Sequence, residues 1–360
     1  MLAVVFDKPN KYKLAEVAKP LIAPGKVLIQ VKSTTICGTD LKMFQGHVPY
    51  ISYPHIPGHE FGGLVEEIGE GVVDIKVGDK VGVEVHVGCG SCSRCNEGFY
   101  NLCLNYGNFE KGHAHIGFTS PGGLAEFCLV PAEAVHVLPG GLNYDHGAFT
   151  DAIGIVLWAI ERAGGIMEGE NVVVVGPGTL GLLAVQAVLS FGAGQTILVG
   201  TAKDEKRMEI AEGFGDVKTL NIHSVDDPIS EIKNLTNDLG ADLVLEFAGT
   251  TSAANFSLNA ARRGGRVVLG GATSPGTKLE IDLSIIVRGH LDVFGTMANP
   301  KRISQLANIM MGKGEIDIQP LITHHMKLSQ FDQAWDIFSN RTEEVLRILL
   351  HPGEVDVGLN

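Results

Sequence analysis

Val172-Val173-Val174-Val175-Gly176-Pro177-Gly178-Thr179-Leu180-Gly181 is the stretch of this 360-residue chain on which the reading of the fold turns. Four β-branched residues in succession read as a strand buried on both faces, and the pattern G-x-G-x-x-G that follows at once opens a helix. Gly176 permits the tight turn, Gly178 lets the backbone approach a pyrophosphate, and Gly181 lets helix and strand pack closely, with Pro177, Thr179 and Leu180 filling the loop. The amide groups at the helix N-terminus then offer a phosphate site. Working outward, apolar runs at 172–175, 196–199, 217–220, 242–247 and 266–269 alternate with helix-length segments at 180–191, 206–214, 230–239 and 251–262. That alternation predicts an α/β doubly wound parallel sheet.

The stretch from Asn171 to Ala202 carries no charge and is long enough to span a bilayer as one helix. Gly176-Pro177-Gly178 and Gly192-Ala193-Gly194 break it into strand, turn, helix, turn and strand, so it reads as a buried core and not a membrane span. The first 150 residues have a different texture, with short β-branched runs at 26–33, 63–67, 80–86 and 124–130 set apart by Gly, Pro and Asp, which predicts a barrel-like β domain. After Phe294 the pattern becomes a helix at 302–311, a short strand at 319–323 and a helix at 330–339. Residues 1–150, completed by 297–360, are therefore expected to form one domain and residues 151–296 the other.

Composition narrows the function classes. Apolar residues make up 45% and charged residues 19%, the usage of a folding globular chain and not of a disordered one. A formal net charge of −13 repels nucleic acid phosphates and anionic lipid, so neither is an expected partner. Asp7 and Lys8 end the first apolar stretch too early for a secretory leader, which points to the cytoplasm. In that reducing compartment, clustered cysteines favour metal over disulfides.

Cys89, Cys92, Cys95 and Cys103 have the spacing C-x2-C-x2-C-x7-C. Four thiolates so close in sequence can close a tetrahedral zinc site with every position filled by protein, the sign of a structural metal. An iron–sulfur cluster is the alternative for the same four ligands. A second constellation combines Cys37, in Cys37-Gly38-Thr39-Asp40, with His59 and Glu60, in Pro57-Gly58-His59-Glu60-Phe61-Gly62. A thiolate, an imidazole and a carboxylate suit a zinc that keeps one position open for substrate. Asp151 is an acid in an otherwise apolar segment, where a metal or a basic partner is expected to meet its charge.

These motifs, with Gly78-Asp79-Lys80-Val81 and the glycine turn, resemble the zinc-containing medium-chain dehydrogenases/reductases, and the resemblance covers essentially the whole chain. It implies a GroES-like β-barrel catalytic domain, a Rossmann cofactor domain, and a catalytic zinc near Cys37, His59 and Glu60, with Glu60 bound directly or one shell out. Liver-type alcohol dehydrogenases carry a second cysteine where this chain has Asp151, whereas the threonine and polyol branch carries an acid there. Thr39 stands where the family uses Ser or Thr to accept the substrate's hydroxyl proton. Many members place a histidine three residues further on as the terminal base; Lys42 stands there here, with His47 or bulk water as the alternatives. His86 matches a substrate-side histidine of threonine dehydrogenases. Relatives imply a dimer or tetramer.

An NAD site shows an acid about twenty residues after the glycine turn, to accept from the ribose hydroxyls. Here Gly200-Thr201-Ala202-Lys203 has none, and Lys203 and Arg207, with Thr201, could meet a 2′-phosphate, so NADP is expected over NAD; the alternative gives the ribose to Asp204 or Glu205. The expected activity is zinc-dependent hydride transfer between a secondary alcohol, a polyol or sugar, and the nicotinamide, with two zinc ions per chain. Threonine is the alternative substrate. A non-catalytic nucleotide-binding protein would be expected to have lost zinc ligands, and a zinc-finger nucleic-acid binder is opposed by the acidic charge.

Overall fold

The computed structural model describes residues 1–273 and 276–353. It separates into two compact units, one formed by Met1–Gly154, Ala298–Lys313 and the described residues from Leu321 to Gly353, the other by Ile155–Met297 and Gly314–Pro320.

The second unit holds a six-stranded parallel sheet in the order Val217–Asn221, Thr196–Gly200, Val172–Val175, Ala241–Glu246, Ala261–Leu269 and Asp292–Gly295. The order reverses direction at Val172–Val175, so the glycine turn leaves the sheet at its topological switch point, where such folds bind ligand. All four valines are buried, facing Thr196 to Val199 on one side and Leu243 to Glu246 on the other. Gly176 has φ +100°, and a Cβ on Gly181 would lie 2.0 Å from the Gly176 carbonyl oxygen, so glycine is required at both positions. Gly178 caps the helix Thr179–Ser190.

The 251–262 helix reading is shortened by the structure. The helix Thr251–Ala260 stops where Ala261 pairs with Ala241 and the Arg262 guanidinium engages the Asp242 carboxylate. Sheet pairing and an ion pair win over local helix propensity at that junction.

The first unit is built on a seven-stranded sheet in which Lys26–Thr35 is central, pairing with Phe61–Ile68, with Phe127–Pro131 and with the C-terminal strand Arg347–His351. Its core is two apolar clusters, one containing Val27, Ile29, Phe61 and Val81, the other Phe6, Ile36, Phe331 and Trp335. The run read as one strand at 80–86 is two, Lys80–Val83 and His86–Val87, because Glu84 turns inward between them and donates its amide to the Ala134 carbonyl at 3.0 Å. The short strand expected at 319–323 begins instead at Ile322 and runs to Lys327, after a single 3₁₀ turn that contains Pro320. Among the described residues no helix is long and apolar enough to cross a membrane.

Candidate metal centres and dinucleotide site

Cys37 ends the segment that follows the central strand and occupies the N-cap of the helix Gly38–Phe44. Asp40 caps the same turn from inside, its Oδ2 accepting the Cys37 amide at 2.8 Å. His59 and Glu60 immediately precede the strand Phe61–Ile68, which is paired with Lys26–Thr35, so strand register delivers the imidazole and carboxylate to the thiol. The ligand atoms of Cys37, His59 and Glu60 all lie within 4.8 Å of one another.

His59 and Glu60 are buried and Cys37 half-buried. Burial alone would lower the pKa of His59, but the Asp40 and Cys37 charges outweigh it and hold the imidazole well above its ordinary value. Burial would likewise raise Glu60, and the Arg347 guanidinium, with His59 and Thr35, overrides it and keeps the carboxyl low. Arg347 Nη2 donates to Glu60 Oε1 at 2.9 Å, and Nη1 and the Thr35 hydroxyl both donate to Oε2. Asp151, only 3% exposed, lies outside the group of three but within its field. Burial pushes its carboxyl up to about 7, with His59 opposing and Glu60 and Glu84 adding to the rise.

This donor set fits a zinc ion. Two buried polar atoms, His59 Nδ1 and Asp40 Oδ1, face each other at 3.5 Å with no hydrogen-bond partner among the described residues. A ligating histidine ordinarily aims its second ring nitrogen at such a carboxylate, which leaves Nε2 for the metal.

The tetrad is a separate, self-contained lobe. Cys92 Sγ lies 3.5 Å from Cys95 Sγ and 3.9 Å from Cys103 Sγ, and Cys89 Sγ lies 3.9 Å from Cys95 Sγ. All six cysteines of the chain are free thiols. Backbone amides point into the cluster: Cys92 donates to Cys89 Sγ, and Cys89 and Asn105 both donate to Cys103 Sγ, each at 3.4 Å. The Asn105 side chain adds a fourth donor to the cluster, reaching Cys89 Sγ at 3.1 Å. Hydrogen bonds from Ser91 and Asn105 pull the Cys89 thiol down to about 5, while burial and the neighbouring Cys92 push Cys95 up to about 12. Four sulfurs with donors already aimed at them match a closed thiolate site.

In the second unit, a Cβ on Gly200 would touch the Pro177 ring at 2.8 Å, so the end of Thr196–Gly200 abuts the glycine turn. Thr201 begins the next segment, and Asp204 Oδ2 accepts from its amide at 3.0 Å and its hydroxyl at 2.7 Å. The other Asp204 oxygen lies 3.8 Å from the Arg207 guanidinium, and Lys203 is exposed.

The profile of the alcohol dehydrogenase GroES-like domain matches residues 23–140, and that of the zinc-binding dehydrogenase domain matches residues 179–311. The chain is 32% identical to a sorbitol dehydrogenase of Halalkalibacterium halodurans, over 98% of this chain and 99% of that protein. It is also 32% identical to an L-threonine 3-dehydrogenase of Pyrococcus horikoshii, over 97% of this chain and 99% of the relative. A zinc-binding dehydrogenase of Sinorhizobium meliloti 1021, solved bound to NADP, superposes with a TM-score of 0.88 at 30% identity, covering 98% of this chain and 99% of that one. The chain belongs to the zinc-type alcohol dehydrogenase family. It is a zinc- and NAD(P)-dependent alcohol oxidoreductase with a GroES-like unit and a Rossmann sheet.

Within this dehydrogenase, Thr39 Oγ1 lies 3.9 Å from Cys37 Sγ, and Lys42 lies one turn further along the same helix. His86 is buried, its ring stacked on His115 at 3.9 Å, and burial with the neighbouring His113 lowers its pKa to about 3. Sequence reasoning gave no role to Asp40, Thr35 or Arg347. Asp40 carried a usable signal, an acid at the third position of a helix capped by a candidate ligand. Arg347 carried none, being 287 residues from Glu60.

Glu60 and Arg347 are 2% and 5% exposed, so removing the guanidinium strands a buried charge. Arg347→Met should destabilise the protein by about 3–5 kcal/mol in urea unfolding followed by circular dichroism. A loss below about 1 kcal/mol would show that Glu60 is held by other means.

Proposed function

We propose that the protein oxidises a secondary hydroxyl of a polyol or sugar, reversibly, with NADP as the preferred cofactor and two zinc ions per chain. The observation that carries this reading is the convergence of Cys37, His59 and Glu60, with Thr39 beside them and Asp151 in their field. Zinc, when bound, supplies Lewis acidity that lowers the pKa of the substrate hydroxyl. Cys37 and His59 would hold it, with Glu60 and Asp151 as the carboxylates available to complete or tune the set. Asp40 orients His59, and Arg347 orients Glu60. Thr39 accepts the substrate's hydroxyl proton and releases its own outward, to a neutral Lys42 amine, to His47 or to bulk water. The backbone at Gly176, Pro177 and Gly178 admits the pyrophosphate, and Thr179, Leu180 and Gly181 begin the helix that faces it. The chain's free thiols accord with a cytoplasmic, reducing location. Oxidation of threonine is a second reading, favoured by the buried His86 on the stretch leading to the tetrad.

Metal analysis of replete protein should give two zinc ions per chain. Cys37→Ala should leave one and abolish turnover while dinucleotide still binds; Cys92→Ser should lower stability first. One zinc in the wild type would refute the two-site reading.

The cofactor preference rests on charge. Asp204 is engaged in capping Thr201, while Lys203 and Arg207 supply positive charge after the strand end. A panel of polyols, sugars, simple secondary alcohols and threonine should show higher kcat/KM with NADP⁺ than with NAD⁺, and Lys203→Ala should lose efficiency selectively with NADP⁺. A wild-type preference for NAD⁺ would assign the ribose to Asp204 or Glu205 and sink the NADP reading.

A homodimer or homotetramer accords with the sheet's open edge. Asp292–Gly295 is an edge strand, and beside it in sequence lie Leu283, Val287 and Met297, 64%, 62% and 57% exposed. An edge left unpaired among the described residues, near exposed apolar side chains, is suited to a second copy. Sedimentation should read at least a dimer, and Val287→Glu should shift it toward monomer; a monomeric wild type would overturn the assembly.

A further inference from the structure

Glu84 has no part in the chemistry outlined above, yet it is 3% exposed and fully engaged. Its Oε1 accepts the Tyr100 hydroxyl at 2.6 Å and its Oε2 meets His136 Nε2 at 2.7 Å. Burial and the Glu84 charge push the Tyr100 phenol far up, which keeps it protonated as a donor. Tyr100 belongs to the tetrad lobe: its carbonyl accepts the Cys103 amide at 3.0 Å. A Cβ at Gly88 would lie 2.5 Å from Tyr100 Cβ and 2.6 Å from Cys95 Sγ, so the lobe packs directly on the residue that follows the strand His86–Val87.

From Glu84 the contacts run on toward the other cluster. The Val85 carbonyl accepts the Ile116 amide at 2.8 Å, and His86 pairs with His115 across a two-stranded ribbon. Their rings stack at 3.9 Å, His115 stacks on Phe118 at 3.7 Å, and Phe118 lies 4.9 Å from the His59 ring. His59, His86, His115 and Phe118 are all buried, so a displacement at one end cannot be absorbed by solvent.

We propose that Tyr100 and Glu84 are positioning residues through which the cysteine tetrad sets the His59 end of the Cys37–His59–Glu60 cluster. The inference rests on the two-metal reading. The tetrad fixes Tyr100, Tyr100 fixes the carboxylate at the root of the ribbon, and the ribbon's rings fix the imidazole. Metal ligands lose affinity when the groups that orient them are loosened.

The test uses full-length protein whose tetrad is filled with zinc and whose second cluster is titrated with Co²⁺, read by its thiolate-to-cobalt absorption. Tyr100→Phe and Glu84→Ala break the tie from its two ends. Each should weaken Co²⁺ binding about tenfold while tetrad zinc stays at one per chain, and the double variant should lose no more than Glu84→Ala alone, because the Tyr100–Glu84 hydrogen bond is already broken in it. Should Tyr100→Phe shed the tetrad zinc, Glu84→Ala, outside the lobe, carries the test alone. Wild-type Co²⁺ affinity in Glu84→Ala, or losses that multiply to about a hundredfold in the double variant, would overturn the proposal. A wild type that takes up no Co²⁺ beside its tetrad zinc would instead sink the two-metal reading.

Discussion

The buried ion pair between Glu60 and Arg347 is the constraint on which the first unit depends. Two charges taken out of water are costly, and an apolar pair of similar size would often serve stability as well. The geometry here gives more than stability. Arg347 lies on the C-terminal strand, which pairs with Lys26–Thr35 at Thr34 and Thr35, and Thr35 itself donates to Glu60. One carboxylate thereby ties together the end of the chain, the central strand and the residue after His59. With its oxygens held by donors, Glu60 cannot rotate freely, and the direction in which it faces Cys37 and His59 is fixed before any metal arrives.

The two clusters are assembled by opposite strategies. The tetrad draws its four sulfurs from residues 89 to 103 and stabilises their charge with its own backbone amides, so little outside the lobe is needed to form it. The Cys37 cluster needs a strand register between Lys26–Thr35 and Phe61–Ile68, a helix N-terminus and a C-terminal strand all in place. Closing such long loops is entropically costly and has to be met by the packed sheet. A site with an open coordination position gains from that arrangement, because its ligands are then oriented by a rigid scaffold and not by the metal alone.

This difference also explains what could be read in the sequence. The Val172–Val175 strand, the glycine turn and the Thr179–Ser190 helix were legible because every signal is local: β-branched residues, a required positive φ and a helix start within a few positions. Spacing marked Cys89, Cys92, Cys95 and Cys103 in the same way, and relatedness carried Cys37, His59 and Glu60. Arg347 was invisible, since nothing in Leu346-Arg347-Ile348 distinguishes an arginine destined for a buried carboxylate from one bound for solvent. Glu84 was hidden for a related reason: it sits in an apolar run that reads as unbroken strand, and its partners, the Ala134 carbonyl, Tyr100 and His136, are all distant in sequence.

The dinucleotide side shows how a local capping choice constrains recognition. Asp204 closes the turn after Thr196–Gly200 by accepting both the amide and the hydroxyl of Thr201. A carboxylate spent in this way has one oxygen left, and that oxygen faces Arg207. For Asp204 to accept from ribose hydroxyls it would have to give up the cap, at a cost of about 1 kcal/mol, and its hold on the guanidinium. Glu205 is exposed and begins the following helix, where its charge favours the helix N-terminus. Both acids thus have local work that keeps the turn folded, and the positive charge there comes from Lys203, which is exposed, and from Arg207, which faces Asp204. The NADP reading proposed above therefore rests on the cap as much as on the bases themselves.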